Sequence, residues 1–100
     1  MTLIYITCPN EEEAVKISKN LLDKRLIACS NIYPIRSLYN WEGKLQDEKE
    51  YAIMAKTQKK NYNIIKEEVK KLHSYSIPCI LKIDAEANEE YNKWVDKEVK

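Results

Sequence analysis

Hydrophobic and polar positions along the chain fall into seven periodic stretches. Thr2–Thr7 is β-branched and aromatic and reads as a short buried strand, ended by Pro9-Asn10. Asn10 caps a helix, Glu13 completes a capping-box pattern, and Glu11–Glu13 suit the positive helix start. Ala14, Val15, Ile17, Leu21 and Leu22 form its apolar stripe, and Lys24-Arg25 suits the negative end. From Ala28 the period becomes two. Cys29, Tyr33, Ile35, Tyr39 and Trp41 share one strand face, with Asn31 and Ser37 as its polar members. Glu42-Gly43-Lys44 reverses the chain, and the return strand runs from about Leu45 to Thr57. Its second half, Tyr51–Ala55, is apolar on both faces and so reads as central in the sheet.

A second helix spans about Lys59 to Leu72, with Tyr62, Ile65, Val69 and Leu72 at helical spacing. His73–Pro78 breaks it, because Pro78 turns Ile77 away from helical angles. Cys79–Asp84 is a fourth strand. Asn88 caps a last helix carrying Tyr91, Trp94, Val95 and Val99, with Tyr91 and Trp94 read as core. The order β-α-β-β-α-β-α, with right-handed crossovers, predicts an α+β ferredoxin-like sandwich with one extra C-terminal helix. Residues 1–100 form a single domain of this kind.

The middle strands are long for such a domain. About thirteen residues a side, at ~3.3 Å each, reach about 40 Å. A compact chain of this length has a radius of gyration of about 13 Å. One end of the hairpin therefore projects, unless Pro34 bends it at a bulge. The projecting part carries Tyr39 and Trp41, which predicts pairing with another subunit.

Composition removes several function classes. The formal net charge is +1, which gives no field for nucleic acid or an anionic membrane. Gly43 is the only glycine, so no glycine-rich phosphate loop or nucleotide fingerprint exists. The start of the chain lacks a signal-peptide pattern, and its longest apolar run, Tyr51–Ala55, is far short of a membrane span. Three scattered cysteines with no C-x-x-C fit reduced thiols in a cytoplasmic protein.

Ala28-Cys29-Ser30-Asn31-Ile32, Ile35, Ser37-Leu38-Tyr39, Trp41-Glu42-Gly43-Lys44, Glu50 and Lys56-Thr57 together resemble the central block of the CutA family, the divalent-cation-tolerance proteins. His73, Tyr75 and Pro78 resemble that family's later His-Pro-Tyr-Glu-x-Pro-Glu segment, and Tyr91 with Trp94 its closing Tyr-x-x-Trp. The resemblance covers essentially the whole chain. It implies a homotrimer joined through extended hairpins, association with copper or another divalent metal, and a likeness in architecture to the signalling PII proteins. The chain departs from the pattern at Ser74, Ser76 and Cys79, which stand for Pro, Glu and Glu. The first-strand cysteine that some members use for copper aligns with Ile6, and Cys8 lies two residues on, on the same strand face.

The candidate metal ligands are accordingly His73, Cys8 and Cys79, and the thiols would favour copper or zinc over hard ions. The bland alternative for His73 is a helix-end cation or carbonyl cap. Tyr39, Trp41, Lys56 and Tyr75 are candidates to line a ligand cleft between subunits, with Lys56 as an anion partner or simply a lysine stem packed on the sheet. Cys29 reads as core. A Cys29/His73 pair has no third orienting residue, so no enzyme is expected. The competing function is a PII-like regulatory scaffold that binds a small anionic ligand or a partner protein.

Overall fold

A computed structural model describes residues 1–100. Strand β1 (Thr2–Cys8) is followed by helix α1 (Glu11–Asp23), and the long strands β2 (Cys29–Trp41) and β3 (Lys44–Thr57) come next. A 3-10 turn (Lys59–Asn61) leads into α2 (Tyr62–Leu72), then β4 (Ile80–Asp84) and α3 (Glu89–Glu98). The four strands form one antiparallel sheet in the order β2-β3-β1-β4. This is the expected α+β ferredoxin-like arrangement with one added helix, and β3 is central as its apolar pattern requires.

One face of the sheet carries the core. β1 alternates strictly, and Ile4, Ile6 and Cys8 are fully buried beneath the helices. They pack with Ala14, Ile17 and Leu21 of α1, Ile53 and Ala55 of β3, and Ile65 and Val69 of α2. Leu22, counted in the α1 stripe, is instead exposed. Asn10 caps α1 as expected, its side chain accepting from the Glu13 N–H at 2.8 Å. The Glu13 carboxylate does not return the bond; it turns towards His73 and Ser74. Asn88 precedes α3 without capping it, because its side chain donates to Glu90.

The opposite face of the sheet is more open, and the odd-numbered residues of β2 lie on it. Ser30 faces α1, where its hydroxyl meets Ser18 at 2.7 Å. Its neighbour Cys29 therefore points to the other face, half-buried beside Tyr91, and is not part of the core cluster. In α3, Val95 is the buried member and Val99 is buried just past the helix end, whereas Trp94 is 42% exposed. Its place in the core is thus corrected: one short helix on this side turns a single edge inward, and Val95 takes it.

The hairpin ladder runs without a break from Cys29↔Lys56 to Trp41↔Lys44. Pro34 pairs with Tyr51 inside that register, so no bulge folds the ribbon back. Glu42 and Gly43 both have positive φ, 51° and 77°, in the two-residue loop that matches the strand twist. The ribbon gives the molecule extents of 45 × 25 × 21 Å and a radius of gyration of 14.0 Å. Trp41 and Leu45, near its tip, are 47% and 71% exposed.

Candidate functional site

The site is organised by the end of α2 and the segment that follows it. His73 ends the helix, its backbone N–H closing on Val69. Its side chain is fully buried and both ring nitrogens are engaged. Nε2 lies 2.7 Å from the Thr7 carbonyl, which can only accept, so Nε2 carries the proton. Nδ1 accepts from the Tyr75 N–H at 3.1 Å. The imidazole is therefore the neutral tautomer, with its Nδ1 lone pair taken by the Tyr75 N–H.

Other electron-pair donors lie close to that nitrogen. Glu13 Oε2 is 3.4 Å from His73 Nδ1, and ligand atoms of Cys8, Glu13 and His73 all lie within 4.8 Å of one another. Strand alternation buries Cys8 under the helices, the first turn of α1 presents Glu13, and the end of α2 presents His73. Burial pushes the Cys8 thiol up from its ordinary 9.0 to about 12, with the carboxylates of Glu13 and Glu50 adding to the shift. A thiol, a carboxylate and an imidazole facing inward are the donor set of a zinc or copper site. The Nε2 bond to a backbone carbonyl is also the usual outer support of a metal-bound histidine. The donor types fit such an ion: Cys8, Glu13 and His73 would hold it, with Nδ1 giving up its bond from the Tyr75 N–H.

Cys79 does not join this group. It lines a separate cavity of about 600 Å³ between the hairpin and residues 74–79, together with Thr7, Tyr39, Trp41, Glu50 and Tyr75. Thr7 and Cys8 are consecutive on β1 and so face opposite sides of the sheet, which puts the cavity and the cluster back to back. Within the cavity Tyr75 donates to Glu50 at 2.6 Å and Tyr39 to Glu48 at 3.1 Å. Burial, with help from Glu50, pushes the Tyr75 hydroxyl and the Cys79 thiol up.

Tyr39, Trp41 and Tyr75 line this cavity of the single chain. Lys56 does not: it sits between Leu3 and Cys29 in the ladder and is absent from the cavity wall. The lysine expected to receive an anion is replaced by the carboxylates of Glu48 and Glu50, so the cavity disfavours an anionic ligand.

Glu13 was missed as a candidate ligand because its position fits a capping box so well. The clue available was the abundance of acids in that turn, three in succession, when the cap needs only one.

Comparisons with known proteins place the chain in one family. Residues 2–98 match the sequence profile of the family described as CutA1 divalent ion tolerance protein. The divalent-cation tolerance protein CutA of Archaeoglobus fulgidus is 45% identical over 97 residues, spanning 96% of this chain and 95% of that one. The structure of that organism's protein, described as a periplasmic divalent cation tolerance protein, superposes with a TM-score of 0.96 at 44% identity over the full length of both chains. A PII-like protein CutA from Nostoc, at 27% identity, superposes with a TM-score of 0.93 over 100% of this chain and 98% of that one. The chain belongs to the CutA1 divalent ion tolerance family.

Proposed function

We propose that this protein serves divalent-cation tolerance by binding copper or zinc directly through Cys8, Glu13 and His73. The observation that carries the reading is the convergence of these three side chains within 4.8 Å, with Glu13 Oε2 3.4 Å from His73 Nδ1. Metal binding would release the Cys8 proton, so affinity rises with pH. Cys79, on the other side of β1, contributes nothing to that site.

The working form in this proposal is a homotrimer built through the β2–β3 hairpin. Its support is the exposed ribbon, with Leu38 and Trp41 on opposite faces and each partly open to solvent. The compartment proposed is the cytoplasm, on the strength of three free thiols. No helix is long and apolar enough to cross a membrane. No catalytic role is proposed.

Calorimetric titration with Zn²⁺ and with Cu²⁺ tests the metal assignment. His73→Ala and Cys8→Ser are each expected to lower affinity by tenfold or more, on the scale of losing one of three ligands, while Cys79→Ser leaves it unchanged. Unchanged affinity in His73→Ala removes His73 from the site.

A further inference from the structure

The cavity on the other side of β1 has a chemistry of its own. Its walls carry three aromatic side chains, Tyr39, Trp41 and Tyr75, and two carboxylates, Glu48 and Glu50; no lysine, arginine or histidine lines it. Glu50 is only 5% exposed, yet its hydrogen-bond partner is a neutral phenol on one oxygen. The other oxygen receives no hydrogen bond from the chain, and no ion pair neutralises it. That oxygen is not among the side-chain atoms sealed from solvent, and Glu50 lines the cavity, so it is open to accept from a bound cation.

The cavity offers no cluster of protein ligands for a metal. The one cluster of ligand atoms close enough for that is Cys8, Glu13 and His73, and Glu48, Glu50 and Cys79 form no such group. The volume, about 600 Å³, is that of a small-molecule site. Aromatic faces beside carboxylates are what an organic ammonium prefers, through cation–π attraction and charge pairing. Glu48 and Glu50 are two apart on β3, on one face, which sets them roughly 6.5–7 Å apart along the strand. A short aliphatic diamine presents two ammonium groups at a matching separation.

We infer that this cavity is a binding site for a small organic cation of the aliphatic diamine class, with Glu50 as the buried charge partner, Glu48 as the outer one and Trp41 as the aromatic wall. The site is distinct from the Cys8–Glu13–His73 cluster, and it selects against anions.

Trp41 makes the test optical. In a Trp94→Phe background its fluorescence is titrated with 1,4-diaminobutane, with succinate as the anionic counterpart of similar length, at constant ionic strength and on the protein in its native assembly. The expected result is a saturable change with the diamine and none with succinate. Glu50→Gln, nearly isosteric, is expected to weaken diamine binding by roughly tenfold or more, as removal of a buried charge partner does. Should Glu50→Gln fail to fold by circular dichroism, the exposed Glu48→Gln supplies the comparison, with a several-fold loss. Cys8→Ser is expected to retain diamine binding, which separates this site from the metal reading. Three results overturn the inference: no saturable response to the diamine, as when a lysine of a second copy already fills the cavity; tighter binding of succinate; or equal diamine affinity in wild type and a folded Glu50→Gln or Glu48→Gln.

Discussion

At the scale of single residues, the decisive fact is which partner each polar side chain finds. Glu13 fits a capping box, but only half of the box forms: the Asn10 side chain takes the Glu13 N–H, and the Glu13 carboxylate does not bond back to Asn10. The Glu13 carboxylate is then free to face His73. Cys8 shows the same dependence on context. Its burial favours the neutral thiol, and the folded-state value, about 12, lies above the ordinary 9.0. For a group raised on folding, the contribution to stability is complete below the unfolded value and is lost as pH climbs towards the folded one. Metal-free protein should therefore lose stability between about pH 9 and pH 12, and Cys8→Ala should flatten that part of the profile relative to wild type. Denaturant midpoints across this range check it; parallel profiles for the two proteins would contradict it.

At the scale of elements, the strands and helices were legible because their periods were clean. The β1 alternation, the cap at Asn10 and the reversal at Gly43 each rest on local rules, and the structure keeps them. The local rules did not say which face of β2 turns inward. Its odd positions hold the larger aromatic residues, but the even face meets α1 through Ser30, and long-range packing decided the matter. Neither could local rules separate Cys79 from Cys8, since that depends on the path of residues 73–79 across the sheet. The turn offers a direct check on the backbone account. Glu42 holds φ 51°, which a residue with a Cβ adopts at a cost, whereas asparagine suits the first position of this loop. Glu42→Asn should raise stability by about 0.5–1 kcal/mol in chemical denaturation, on the scale of relieving one left-handed residue. A lower midpoint would contradict the turn geometry.

At the scale of the whole molecule, a ribbon that lengthens the chain to 45 Å leaves large apolar groups uncovered. Leu45, Leu81 and Ile83 are exposed together with Trp41, more than a monomer of this size gains from displaying. Light scattering at micromolar concentration should give three times the 11.8 kDa chain mass, and a mass of one chain would contradict the trimer. Assembly, cavity and metal cluster are separate claims, and the metal cluster is the central one because it connects this chain's own side chains to cation tolerance. X-ray absorption at the zinc edge of the loaded protein examines the ligands themselves. The account predicts one sulfur at about 2.3 Å and nitrogen or oxygen neighbours at about 2.0–2.2 Å, with the sulfur absent in Cys8→Ser. A shell of nitrogen and oxygen alone in the wild-type protein, or a sulfur that survives Cys8→Ser, would contradict it.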